Sequence, residues 1–310
     1  MQHFADRLVE AVRKTGSPVC LGLDPRFDLL PLAIRNAAVQ ADGHTPKAIA
    51  RAFVAFNRAL IDATADIVPV CKPQIAFYEE WGADGIAAFE ETIRYAKLKG
   101  MLVISDAKRG DIGATAVAYA RAHLGGLECT GGVGFDADAL TVNPYMGHDT
   151  LQPYLDLGAS NGKGIFVLVK TSNPGSGDLQ DLEAQGKPVY EHVADMICRI
   201  GAKYRGKSGF TSVGAVVAAT YPQQARRLRE LLPDTIFLVP GYGTQGATAT
   251  DAMASFRSDG QGAVVNASRS IIFAYKQGSY ASRFGETGFA EAARAAAMQM
   301  AKELNAALAQ

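Results

Sequence analysis

Eight short apolar runs, separated by longer stretches with helical periodicity, constrain the fold of this 310-residue sequence more than any other feature. The runs are Val19–Leu23, Ile67–Lys72, Leu102–Asp106, Ala139–Val142, Ile165–Val169, Val213–Val217, Ile236–Val239 and Ala263–Asn266. They are apolar almost throughout, as parallel strands covered on both faces must be. Between them lie helix candidates such as Ala48–Ala65, Gly85–Leu98, Ile112–Leu124, Pro222–Leu232 and Thr248–Phe256, with Phe289–Ala309 as the last. Eightfold strand–helix alternation predicts an α/β fold of one kind, a closed (β/α)8 TIM barrel forming one domain over residues 1–310. Phe4, Leu8 and Val12 fall at helical spacing and predict an amphipathic N-terminal helix. Residues 28–46 and 172–188, punctuated by Pro and Gly, read as insertions after strands one and five. The second follows a strand end directly and would rise over the barrel mouth, as a lid or as ordinary surface loop.

Composition excludes several classes of function. Lys plus Arg and Asp plus Glu number 31 each, so nothing in the overall charge favours nucleic acid or an anionic membrane as partner. No apolar stretch approaches the length of a membrane span. Cys20, Cys71, Cys129 and Cys198 are far apart, and the N-terminus reads as a helix rather than a signal, so a reducing, cytoplasmic setting without disulfides is expected. His3, His44, His123, His148 and His192 are scattered without metal-ligand spacing, and no metal site is expected. Asp24 and Asp106 could hold Mg²⁺ in principle, but nearby lysines compete for them.

The runs end in polar residues again and again: Asp24, Lys72, Asp106, Asn143, Lys170 and Asn266. In a (β/α)8 barrel these ends form the active-site face. Asp106 and Lys108 are two apart, so an extended backbone points both the same way. Asp111 opens the next helix, where a plain N-terminal capping role is nearly as good a reading as a functional one. Lys72 is held extended by Pro73, and a lysine there needs a partner such as Asp106. An alternating Lys–Asp–Lys–Asp array would keep all four groups ionised.

Pro240 to Gly246, after strand seven, and Asn266 to Ser270, after strand eight, combine glycines, helix starts and Arg269, which suits a phosphate dianion. Gly241–Gly246 also matches G-x-G-x-x-G, but too little chain follows for a second nucleotide-binding half, and Asn266, not an acid, closes the next strand.

Taken together, Leu21-Gly22-Leu23-Asp24-Pro25-Arg26, Lys72-Pro73-Gln74, Asp106-Ala107-Lys108-Arg109-Gly110-Asp111-Ile112, Thr171-Ser172-Asn173-Pro174-Gly175, Pro240–Gly246 and Ser268-Arg269-Ser270 resemble the orotidine 5′-phosphate decarboxylase family, in its longer bacterial branch. The resemblance implies conversion of orotidine 5′-phosphate to uridine 5′-phosphate in pyrimidine synthesis, without metal or organic cofactor. It implies that Asp24 and Lys72 hold the ribose hydroxyls, that Asp106 lies against the substrate carboxylate, and that Lys108 protonates C6. Asp111, Ile112 and Thr115 would reach the partner's site in a homodimer. Ser172 would contact the pyrimidine, and Gln245 and Arg269 the phosphate, with Pro240 and Ser268 beside them. Ser268 departs from the pattern, since many relatives have Gly there. Three other readings remain open: a Mg²⁺-dependent sugar-phosphate decarboxylase, a class I aldolase using Lys72 or Lys170, and a non-catalytic phosphate-binding barrel.

Overall fold

The computed structural model describes residues 2–125, 134–243 and 246–309. Eight parallel strands close into a barrel: β1 (Val19–Leu23), β2 (Val70–Pro73), β3 (Leu102–Arg109), β4 (Ala139–Val142), β5 (Gly164–Lys170), β6 (Val213–Val217), β7 (Phe237–Val239) and β8 (Ala263–Ala267). Neighbours in sequence are neighbours in space, and β8 pairs with β1 through Val19 opposite Val265. The strands are shorter or longer than the apolar runs by a few residues; β3 runs three residues beyond Asp106, to Arg109.

Side chains alternate between two apolar layers, as the pleat demands. Cys20, Val70, Ile104, Ala139, Phe166, Val216, Leu238 and Val264, one from each strand, fill the barrel interior. Leu21, Cys71, Val103, Leu140, Val167, Val217, Val239 and Val265 face the helices. The N-terminal helix Phe4–Thr15 closes the lower end, with Phe4 edge-on to Phe166 at 5.9 Å between ring centroids. Closure from below leaves the C-terminal strand ends as the barrel's mouth.

The stretch after β1 is not irregular. It carries a 3-10 turn (Phe27–Leu29) and a helix (Leu32–Asp42), with Pro31 just before its first turn and Gly43 at its end. The Pro and Gly read as loop markers are the helix's boundaries. Thr45 then caps the helix Pro46–Thr64 by accepting from the Ala48 N–H. After β5 the chain forms a 3-10 turn (Pro174–Ser176), a short helix (Gly177–Gln180) and an antiparallel two-stranded ribbon, Glu183–Ala184 with Lys187–Pro188, before the helix Val189–Gly201. Cys20, Cys71 and Cys198 are free thiols, the first two buried; Cys129 lies outside the described residues. Among the described residues no helix is long and apolar enough to cross a membrane.

Candidate active site

Three of the four charged residues singled out in the sequence meet at the mouth. Lys72, near the end of β2, donates to Asp106 Oδ2 at 2.5 Å, and Lys108 donates to Asp106 Oδ1 at 2.7 Å. Thr141 of β4 donates to the same Oδ1 at 2.9 Å, and its hydroxyl accepts from the Lys108 backbone N–H at 2.9 Å. Lys72 and Asp106 are buried, whereas the Lys108 side chain is 45% exposed.

Asp106 and Lys108 do not converge through extended backbone, as their spacing predicts. The pairing of β3 with β4 shifts between Ser105 and Arg109, and Lys108 takes φ +49°, in the left-handed region that L residues avoid. That conformation brings the ammonium back onto Asp106. Strain of this kind persists only where surrounding contacts enforce it, and the Thr141 hydroxyl does so here.

Electrostatics keep the buried pair Lys72 and Asp106 ionised. Burial alone would raise the Asp106 carboxyl, but Lys72 and Lys108 outweigh it and hold it well below the usual carboxylate range. Burial would likewise lower Lys72, yet Asp106 and then Asp24 hold its ammonium above the ordinary lysine value. Asp24 shows the opposite balance. Burial pushes its carboxyl up despite the pull of Lys72 and the Ser268 hydroxyl.

A cavity of about 430 Å³ adjoins the cluster, lined by Asp24, Arg26, Phe77, Pro240, Gly241, Tyr242, Asn266, Ala267, Ser268 and Arg269. Wider clefts of about 840 and 640 Å³ lie at the opposite end of the barrel among surface charges, so chemistry and not volume singles out this one. Asp24 Oδ1 and Asn266 Oδ1 are buried with no hydrogen-bond partner among the described residues. Buried acceptors are rarely left unpaired, so this wall suits a ligand that brings donors such as sugar hydroxyls. Arg269 is exposed at the rim and makes no ion pair among the described residues. Gly22 makes room for Ser268: a Cβ at residue 22 would stand 1.8 Å from the serine Oγ. The Pro240–Gly246 segment turns through positive φ at Gly241, Gly243 and Gly246, and the Gly243 N–H bonds to the Ala247 carbonyl. Gln245 lies outside the described residues.

Asp111 does not join the cluster within one chain. Among the described residues its carboxylate accepts only from the adjacent Ile112 N–H at 2.8 Å, and the following helix, Gly113–Leu124, has Ile112 at its N-cap position and no side-chain cap. Ile112 and Thr115 are exposed beside it. Ser172 is half-buried in the segment above β5. Two polar strand ends serve other purposes: Asn143 Oδ1 accepts from the Tyr145 N–H in a turn, and Lys170 pairs with Asp181. Thr141 and Asn266 belong to the site's walls, although the sequence marks Thr141 only as one more β-branched strand residue. Among the described residues no group of three or more His, Cys, Asp or Glu could hold a metal ion.

The sequence has known relatives along its full length. It is 44% identical over 304 residues to orotidine 5′-phosphate decarboxylase of Rhodopirellula baltica, covering 98% of this chain and 99% of the relative. It is 41% identical to the enzyme of the same name from Clostridium perfringens, with the same coverage. The solved OMP decarboxylase of Leishmania donovani superposes with a TM-score of 0.73 at 34% identity, over 100% of both chains. Residues 17–284 match the family model for orotidine 5′-phosphate decarboxylase / HUMPS proteins. A closed parallel barrel with an ammonium–carboxylate cluster at its mouth, and relatives of this closeness at full length, lead to one conclusion: the chain belongs to the orotidine 5′-phosphate decarboxylase family.

Proposed function

We infer that this chain carries out the reaction its relatives are named for, decarboxylation of orotidine 5′-phosphate to uridine 5′-phosphate in pyrimidine synthesis. The observation that carries the reading is the Lys72–Asp106–Lys108 chain of bonds, which holds one partly exposed ammonium in place near a cavity lined by Asp24 and Arg269.

The chemistry demands such a group. When the C6–carboxylate bond breaks, CO2 departs and the electron pair stays on C6, in the ring plane, where the pyrimidine π-system cannot spread it. A preorganised cation at that position lowers the barrier, and it does so most where water is excluded. In the proposed assignment the Lys108 ammonium faces C6, stabilises the growing charge and passes its proton to carbon; the resulting amine regains a proton from solvent. Asp106 holds Lys108 on target and stands next to the leaving carboxylate. Lys72 offsets the charge of Asp106 and, with Asp24, meets the ribose hydroxyls. Arg269 and Gln245 grip the phosphate beside Pro240 and Ser268, supplying binding energy that offsets the crowding of two anions. Ser172 contacts the pyrimidine.

Asp111, Ile112 and Thr115 are proposed to complete the site of a second copy in a homodimer. The exposure of Ile112 and Thr115, and the absence of any intrachain contact between Asp111 and the lysines among the described residues, support this reading. The enzyme would work in the cytoplasm. A Mg²⁺-dependent sugar-phosphate reaction is disfavoured because both bonds of Asp106 to cations are made by lysines. Incubating the purified chain with orotidylate in EDTA and following its ultraviolet absorbance tests the assignment. Steady loss of the orotidylate signal is expected, and an inert substrate would refute it.

A further inference from the structure

Lys170 ends β5 and is entirely buried, at 0% exposure, yet it has no contact with the cluster at the mouth. The pairing of β5 with β6 shifts between Leu168 and Lys170. Lys170 Nζ lies 2.7 Å from Asp181 Oδ1 and 3.2 Å from Ser176 Oγ, both in the segment above β5. It also sits 4.5 Å from the Tyr221 ring centroid and 5.9 Å from that of Tyr190. A second clamp ties the same segment to itself. The Gln180 side chain accepts from the Thr171 N–H at 3.0 Å and donates to the Thr171 hydroxyl at 2.8 Å. Tyr221 donates to the Asn173 carbonyl at 3.4 Å. Ser172 therefore lies between two anchored neighbours.

The two members of the ion pair are unequal. The Asp181 side chain is 43% exposed, so water can serve it if Lys170 is lost. Lys170 has no such recourse, because an unpaired ammonium in the interior is strongly unfavourable. Lifting the segment off β5 would strand that cation, which opposes free swinging of residues 171–181. We propose that Lys170 is a positioning residue for the decarboxylation: it holds this segment as a standing wall of the barrel mouth and thereby sets Ser172 against the pyrimidine. The proposal rests on the reading that Ser172 contacts the base.

Steady-state kinetics on the purified chain with orotidylate, together with thermal unfolding, test it. Lys170→Met should raise KM about tenfold or more, the size expected when an ordered contact is loosened. A purely structural lesion would instead lower the active fraction, reducing kcat with KM unchanged. Lys170→Arg, which keeps the ion pair, should recover most of the loss. Asp181→Asn should lower the unfolding midpoint more than Lys170→Met, since it leaves the buried cation alone. In a Ser172→Ala background, Lys170→Met should have almost no further effect on KM. If Ser172→Ala is impaired and the two losses multiply, Lys170 does not act through Ser172 and the proposal falls, while the base contact stands. A kinetically silent Ser172→Ala would overturn the base contact itself and the proposal with it. Should Lys170→Met be too unstable to assay, the Lys170→Met/Asp181→Leu double variant, which removes both charges, carries the same comparison.

Discussion

Lys108 and Asp106 stand two residues apart, and their side chains meet at 2.7 Å through a left-handed backbone at Lys108 rather than along a straight strand. Such a conformation costs a non-glycine residue about 1 kcal/mol or more. The chain stores that strain at the one residue whose ammonium the proposed reaction consumes. Lys108→Ala should lower kcat by at least about a thousandfold, the scale of losing both a proton donor and a preorganised charge. The unfolding midpoint should stay within a few degrees of the parent, because the side chain is half exposed. Near-parental turnover would remove Lys108 from the role.

Thr141→Val keeps the shape of β4 but deletes the hydroxyl that bonds Asp106 and the Lys108 N–H. Because it frees the aim of the ammonium and not its charge, kcat should fall about ten- to a hundredfold with KM little changed. A rise in KM alone would place Thr141 in binding instead.

The Asp106 carboxyl is held below its ordinary range in the fold, so its contribution to stability is complete above the unfolded value, near pH 4, and is lost as the pH falls below it. Asp106→Asn leaves Lys72 buried with only Asp24 as partner. It should cost about 3–5 kcal/mol at neutral pH. The difference from the parent in denaturant titrations should narrow as the pH drops below 4; a constant difference would contradict the pairing.

His123 is buried behind β3, with Nδ1 2.8 Å from Ser105 Oγ. Burial, aided by the Arg109 charge, pushes its imidazole down to about 3. The unfolded chain takes up that proton near pH 6.5 and the folded one does not. Stability should therefore fall as the pH drops from 6.5 towards 3, by at most about 1.4 kcal/mol per unit from this residue. His123→Gln should flatten that slope between pH 6.5 and 4.5, and an unaltered slope would assign it to other groups.

Asp111→Ala and Lys108→Ala chains should each be inactive alone. If the proposed dimer shares its sites, mixing them after reversible dissociation should restore about a quarter of the parental activity, as random pairing gives half hybrids with one whole site each. No recovery in demonstrably mixed dimers would confine Asp111 to its own chain.

The barrel was legible because each strand must bury both faces, and that requirement writes a continuous apolar run into the sequence. The charged cluster was legible because Lys72, Asp106 and Lys108 interrupt those runs where solvent begins. The rule that polar strand ends mark a site is less direct at Asn143 and Lys170, which do not bond to the charged cluster and whose partners, a turn N–H and Asp181, become visible only once loops are folded. Thr141 was hidden for the converse reason: β-branched residues are at home in strands, and only the shifted pairing of β3 with β4 brings this hydroxyl under Asp106. The helix Leu32–Asp42 was concealed by Pro31 and Gly43, which bound it rather than break it.

The contact between Gly22 and Ser268 has an evolutionary corollary. The Ser268 hydroxyl uses the volume that any larger residue at 22 would need, so the two positions cannot change independently. Glycine at 268 would remove the two closest clashes and leave only the residue-268 Cα, 3.1 Å from a Cβ at 22, so alanine there would need a small backbone shift, whereas a chain that keeps this serine has no room for it. Across the family, side-chain bulk at these two sites should trade off as a correlated pair, although they lie on opposite ends of the gene.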